Sequence, residues 1–495
     1  MGIEIIMVIV FVVGYLAIAL EHNIHVDKAA SALLIGMVSW GLYALWPAEH
    51  LKVDTSKSIS ELIQDEELRE NHSGFVEYLE VEQDKNEKAA LSQEAVVDHA
   101  SDAGHHDTGE YVQHFVEHGL VHHLFDIASI LFFLLGAMTI VELIDAHDGF
   151  SIITDKIRTT NKVKLLWVIC ILTFFMSAAL DNLTTSIVMI SVIRKLIKNV
   201  EVRWLFGGFI IIAANAGGAW SPIGDVTTTM LWNNGQLPST MIIVTELIIP
   251  SLVAMIVPLL IASFFIKGSV ERPEKVEGIG HDVASAQSWE KNLVFFVGLA
   301  GLLFVPVFKT ATHLPPFTGM MLSLGFLWMI TELLHAKKKS EDKKGLSVVS
   351  VLQKIDTASV LFFLGILMAV AALQEVGHLA QVAMFLDDTL DQNLYSINIA
   401  IGLLSAVVDN VPLVAAAQGM YPVGVGNFAE NGMFWQFLAY CAGTGGSALI
   451  IGSAAGVAVM GLEKISFGWY IKKISLYAIV GYFAGALTYY LMNAL

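Results

Sequence analysis

The sequence predicts an all-α polytopic membrane protein of two inverted-topology repeats, each with five transmembrane helices, one of them interrupted, and one re-entrant hairpin. Three observations carry that prediction. First, 55% of the 495 residues are hydrophobic and only 15% are charged, with a mean hydropathy of +0.65. A soluble domain carries about 25% charged residues, and here runs of about 20 apolar residues recur, the length that crosses a hydrocarbon core of about 30 Å. Second, three segments return in the same order. Asp126–Leu135 matches Asp356–Gly365, and Ser177-Ala-Ala-Leu-Asp-Asn182 matches Ser405-Ala-Val-Val-Asp-Asn410. Gly217-Gly218 with Ile223-Gly224 matches Gly445-Gly446 with Ile451-Gly452. The offsets are 230, 228 and 228, a register that unrelated apolar segments would not keep. Third, the charges flanking corresponding segments differ in sign.

The elements follow in order. Gly2 to Leu20 has no basic leader and no convincing cleavage site before Glu21-His22, so it reads as a retained helix and not a signal peptide. Asp27–Trp46 and Ile127–Asp145 give the next two helices. Between them, residues 47–123 carry 18 acids and five bases, a net −13 of the chain's −18, and nine of its 16 histidines. His99, His105, His106, His114, His118, His122 and His123 are clustered there. The segment reads as a solvated insertion, helical in part around Ser60 to Glu87. A histidine-based pH or metal sensor is the sharper alternative, but no ligand spacing supports it.

Leu165 to Ile193 is about 29 residues, long for one helix and short for two spanning helices of about 20. Basic residues flank both its ends: Lys156, Arg158, Lys162 and Lys164 before it, Arg194, Lys195 and Lys198 after. The positive-inside rule puts both ends on the cytoplasmic side, which makes this a re-entrant hairpin with Asp181-Asn182 near its tip. An interrupted helix, Trp204–Trp232, and a helix, Met241–Ile266, complete a first repeat over residues 1–266. A polar cytoplasmic linker, 267–291, leads to the second repeat, 292–495. That repeat gives Asn292–Phe308, Pro315–His335, Asp356–Glu375, a hairpin Leu394–Tyr421, an interrupted helix Phe434–Leu462 and a last helix Ser475–Met492. The count is ten spanning helices and two hairpins. The loop holding Lys337, Lys338, Lys339, Lys343, Lys344 and Lys354 is cytoplasmic by the same rule, so the acidic insertion at the matching place of the first repeat is periplasmic. The second hairpin is flanked by Asp387, Asp388, Asp391 and Glu430 and dips in from the opposite face.

The chemistry should sit where polar groups interrupt the apolar runs. A carboxylate at bilayer depth costs about 2.5–3.5 kcal/mol on insertion scales, yet Asp181 and Asp409 stand at corresponding points of both halves. Capping of the second hairpin arm is the plainer role for them, and it is compatible with facing a cavity. Asn182 and Asn410 follow each aspartate as neutral oxygen ligands. Asn215-Ala-Gly-Gly-Ala-Trp-Ser-Pro-Ile-Gly-Asp225 carries the residues that let a helix unwind, and unwound backbone in a membrane is tolerated where it lines a cavity. Asn215, Ser221, Asp225, Thr227 and Thr228 then join the oxygen set. In the second half Ser405, Thr444, Ser447 and Gly452-Ser453 do similar work with hydroxyls. Close packing by small residues is the alternative, and a carboxylate at Asp225 does not fit it.

Hard oxygens with two or three carboxylates, Asp181, Asp225 and Asp409, suit a small hard cation as the metal. Burial favours a carboxylate's protonated form and a cation its ionised form, so one site holds either a proton or a metal ion. That exclusion is the basis of antiport. An organic anion would instead call for helix N-termini and neutral side chains at both tips. Glu142 and Glu375 are weaker candidates, Glu246 has no assigned role, and His25, Asp27 and Lys28 read as an interfacial loop. Cys170 and Cys441 exclude a disulfide framework and a cysteine metal cluster. No nucleophile–base arrangement speaks for an enzyme, and no cofactor or nucleic-acid partner is expected beside the bilayer.

The four segments around Asp181, Asn215–Thr228, Asp409 and Gly443–Val457 together resemble the NhaD-type sodium/proton antiporters of the ion transporter superfamily, which also holds arsenite-efflux and di- and tricarboxylate carriers. The resemblance runs from the first helices to about Gly461. It leaves out the acidic insertion, which is longer than the family's core needs. The Ser-Asn-Thr hairpin tips of the dicarboxylate branch are replaced here by Asp-Asn-Leu and Asp-Asn-Val. The resemblance implies exchange of cytoplasmic Na+ or Li+ for external protons by alternating access, rising at alkaline pH. It also implies a bacterial inner-membrane location, a homodimer and a transport domain that moves against a scaffold. The rivals are a cation-coupled di- or tricarboxylate carrier and, in another class, a membrane-anchored pH or metal sensor.

Overall fold

The computed structural model describes residues 3–19, 24–47, 51, 53, 57–65, 68–69, 75–84, 108–154, 156–272, 288–336, 346–407 and 409–494. Most of the linker, the lysines 337–344 and His99, His105 and His106 lie outside them. The described residues are helical, and no strand occurs among them. The long helices are α1 (Ile3–Ala19), α2 (Lys28–Leu45), α3 (Thr108–Ala146), α4 (Lys162–Leu180), α5 (Asn182–Leu196), α6 (Val200–Ala219), α7 (Val226–Asn233) and α8 (Thr240–Phe265). The second half adds α9 (Ser288–Thr312), α10 (Pro316–His335), α11 (Thr357–Glu375), α12 (Leu394–Leu404), α13 (Asn410–Met420), α14 (Met433–Gly445), α15 (Ala454–Glu463) and α16 (Leu476–Ala494).

Nine helices among the described residues are long and apolar enough to cross a membrane. The set differs from the expected ten in a physical way. α1 has 17 residues, and the two pieces of the second interrupted helix have 13 and 10, so none of these meets the length alone. α4, expected as half of a hairpin, has 19 residues, enough to span about 28 Å at 1.5 Å per residue.

The chain divides into two compact units, one of residues 1–127 with 361–379 and one of 128–360 with 380–495. In the first, α1 packs on α2, and α2 lies against α11 with glycines at the closest approach. A Cβ on Gly365 would collide with the backbone of Ala32 and Leu33, and one on Gly36 with the carbonyl of Gly365. Such close approach is how helices associate where no hydrophobic force separates them from lipid. The Trp40 indole donates to the Met368 carbonyl at 2.9 Å, and His123 Nε2 stands 2.8 Å from Glu375 Oε1.

The described residues of the acidic insertion form more than a solvated loop. α3 begins at Thr108, 19 residues before the expected helix start, so His114, His118, His122 and His123 lie on it. Leu62, Phe75, Val76, Leu79, Tyr111 and Val112 form a small apolar core with Leu51, Val53 and Leu68. These apolar residues are spaced among acids, which hides them from a composition reading.

In the second unit α9 pairs with α10, α8 with α16, α4 with α6, α12 with α14, and α5 with α15. Contacts in the first half recur 228 positions later. Ser177 Oγ donates to the Ala214 carbonyl at 2.6 Å, and Ser405 Oγ to that of Ala442 at 3.1 Å. A Cβ on Gly217 would strike the Phe174 carbonyl, and one on Gly445 that of Gly402. An ionic cluster ties three helices together. Glu463, at the end of α15, accepts from Arg194 Nε of α5 at 2.6 Å and from Arg203 Nε of α6 at 3.0 Å.

Candidate functional site

Four helices of the second unit begin around one set of polar side chains. α4 ends at Leu180 and α5 begins at Asn182, so Asp181 alone makes the break, at φ 79° and ψ 161°. That conformation is open to glycine and strained for other residues. Its carboxylate caps α5, accepting from Thr184 N at 2.7 Å and from Thr184 Oγ1 at 2.8 Å. The second break is wider, residues 405–409, and Asp409 precedes α13 at an unstrained φ of −48° with no side-chain cap bond. The interrupted helices break at 220–225 and 446–453. Asp225 caps α7, accepting from Thr227 N at 3.0 Å and Thr227 Oγ1 at 2.9 Å. Ser453, 228 positions on, caps α15 through Gly456 N at 3.2 Å.

Asp225 is the centre of the network and is 1% exposed. Asn182 Nδ2, at the start of α5, donates to Asp225 Oδ2 at 2.8 Å and to Asn215 Oδ1 at 3.1 Å. Asn410 Nδ2, at the start of α13, stands 3.5 Å from both Asp225 oxygens. Asn215 in turn donates to Ser447 Oγ at 2.9 Å and Ser453 Oγ at 3.0 Å. The starts of α5 and α13 therefore each send one amide to the same carboxylate. Asp181 and Asp409 lie close enough to act on Asp225 through their charge. Among the described residues no three of His, Cys, Asp and Glu converge tightly enough to hold a metal ion, so the oxygens gathered here are one carboxylate with amides and hydroxyls.

The remaining candidate hydroxyls stand apart from that network. Ser221 Oγ donates to the Ala178 carbonyl at 2.5 Å, Thr228 Oγ1 to that of Ala219 at 3.4 Å, Ser405 Oγ to that of Ala442 at 3.1 Å, and Thr444 Oγ1 to that of Tyr440 at 2.6 Å. Each hydroxyl proton is committed to a backbone carbonyl, that of Thr444 within its own helix. Glu375 is paired with His123, and Glu142 is 3.7 Å from Lys354. Glu463 went unnoticed in the sequence because it sits at a helix end, where an acid is usually solvated; only its two arginines mark it as buried.

Residues 5–435 match a family model described as citrate transporter, CitMHS. Sodium/proton antiporter 2 of Arabidopsis thaliana is 45% identical over 377 residues, covering 75% of this chain and 86% of that one. The Na(+)/H(+) antiporter NhaD of Vibrio cholerae is 34% identical over 401 residues, covering 76% and 80%. Sodium/proton antiporter 1 of Arabidopsis thaliana is 50% identical over 373 residues, and this match covers 75% of the chain but 63% of that relative's length. The chain is a multi-pass membrane protein that belongs to the CitMHS transporter family, and its relatives put it with the NhaD-type antiporters.

Proposed function

We propose that the chain exchanges cytoplasmic Na+ or Li+ for external protons by alternating access, binding cation or proton competitively at the Asp225 network. The observation that carries the reading is one carboxylate meeting an amide from each hairpin, Asn182 and Asn410, with Asn215 behind it. A cation at Asp225 takes the place of the proton the carboxylate otherwise holds, with Asn182 and Asn410 turning their amide oxygens toward it, so a single position serves both ions. Asp181 and Asp409 supply negative charge from the two sides. The halves 1–266 and 292–495 act as inverted repeats joined by the linker 267–291, a reading supported by contacts that recur at one spacing. We also assign a homodimer, a bacterial inner membrane and a periplasmic face for residues 47–123; lysine and arginine placement supports the last.

Everted vesicles with a pH dye test the proposal. Na+ and Li+ should release the interior acid, K+ and Ca2+ should not. Asp225→Asn removes the charge that cation and proton share, so the response should fall at least about 100-fold, a loss of about 3 kcal/mol, with protein still in the membrane. A near-normal response in that variant would reject the site. One observation favours a second reading, the family model's own description as citrate transporter. Uptake of labelled citrate driven by a Na+ gradient would establish it, and an antiporter gives none.

A further inference from the structure

Lys309 lies near the end of the apolar helix α9, a place where a lysine ordinarily extends toward the membrane surface. Here it turns to the helix α7. Its ammonium donates to the Trp232 carbonyl at 2.5 Å and lies 4.2 Å from the centre of the Trp232 ring, while Trp232 itself is fully buried. No carboxylate among the described residues pairs with it.

The last carbonyls of a helix lack partners within it, and three at the end of α7 are met from outside its regular ladder. Met230 O accepts from Asn234 N at 2.9 Å, Leu231 O from Leu237 N at 2.9 Å, and Trp232 O from the lysine. α7 has eight residues, about 12 Å in length, too short to be stable alone. Its first end is the Asp225 cap. Whatever fixes the far end therefore fixes where the carboxylate stands relative to Asn182 and Asn410. A cation at a helix C-terminus also matches the dipole.

We infer that Lys309 is a positioning residue for ion exchange, holding α7 by its C-terminal carbonyl so that Asp225 meets the amides of both hairpins. The inference rests on the reading of Asp225 as the ion site. The test uses the full chain in everted vesicles, titrating Na+ at fixed pH for the wild type, Lys309→Met, Lys309→Arg and Asp225→Asn. Lys309→Met keeps the apolar stem and removes the donor. It should raise the Na+ concentration for half-maximal response roughly tenfold, the order expected when a charge-assisted hydrogen bond is lost, with the maximal rate within about twofold. Lys309→Arg still reaches the carbonyl and should stay within about threefold of wild type. Unchanged half-saturation in Lys309→Met, or an Arg variant as impaired as the Met variant, overturns the inference. So does Lys309→Met failing to reach the membrane while Lys309→Arg does, since the lysine then serves folding. If Asp225→Asn keeps exchange, the site reading itself has failed, a result separate from any of these.

Discussion

Asp181 and Asp225 are both helix caps, and their backbones separate their roles. Asp225 adopts an extended conformation at φ −147° that any residue reaches, so its identity is tied to what its oxygens meet. Asp181 holds φ 79°, a strain of about 1–3 kcal/mol that glycine would relieve. Replacing a capping Asp by Gly costs only a few tenths of a kcal/mol. Asp181→Gly should therefore leave thermal stability in detergent unchanged or raise it by up to about 2 kcal/mol, while exchange falls because a carboxylate is gone. Full exchange in this variant would reduce Asp181 to a cap. The hydroxyls of Ser221, Ser405, Thr228 and Thr444 show the same distinction from the other side. Sequence places them next to the break, but their protons bind backbone carbonyls, so their first effect is to hold the interrupted helices in shape.

At the level of elements, α6 is fixed to α4, and α14 to α12, by backbone-to-backbone contact. Gly217 lies on the carbonyl of Phe174, and Gly445 on that of Gly402. A methyl group there meets a carbonyl of a helix, which cannot rotate away. Overpacking in a well-filled interior costs about 1–3 kcal/mol, and both Gly217→Ala and Gly445→Ala should lie at or above the upper end of that range. Thermal unfolding in detergent measures it. Equal losses are expected because the two environments are built alike, and a tolerated alanine at either site would show that α4–α6 or α12–α14 can separate. The Arg194–Glu463–Arg203 cluster fastens the other end of the same assembly, joining α5, α6 and α15. α6 is thereby held at two levels, to α4 at Gly217 and to α5 and α15 through Glu463.

For the whole molecule, the question is what the acidic insertion contributes. Its own small core of Leu62, Phe75, Leu79, Tyr111 and Val112 gives it structure that a charged tether would lack, and α3 carries the chain out of it without interruption. Deletion of residues 58–107, stopping short of α3, should leave at least about half of the Na+-driven proton movement, since the Asp225 network draws on none of those residues. Complete loss of response in protein that still reaches the membrane would favour the sensor reading.

How much could be read in advance depended on whether the signal was local. Apolar length fixes which segments are helical and membrane-bound, and the duplicated Asp-Asn and Gly-Gly segments marked the helix breaks to within a few residues. Family and candidate residues followed from those motifs. What local sequence could not carry was which oxygens meet. Asp225 is 43 residues from Asn182 and 185 from Asn410; Lys309 is 77 from the carbonyl it binds. Its composition-neutral surroundings gave no hint of that turn. Hydrophobic periodicity ranks positions by burial, but a hydrogen bond is a matter of direction and a few tenths of an ångström. The packing of α5, α6, α7 and α13 supplies those directions, and with them the choice of Asp225 over two equally conspicuous aspartates as the centre of the network.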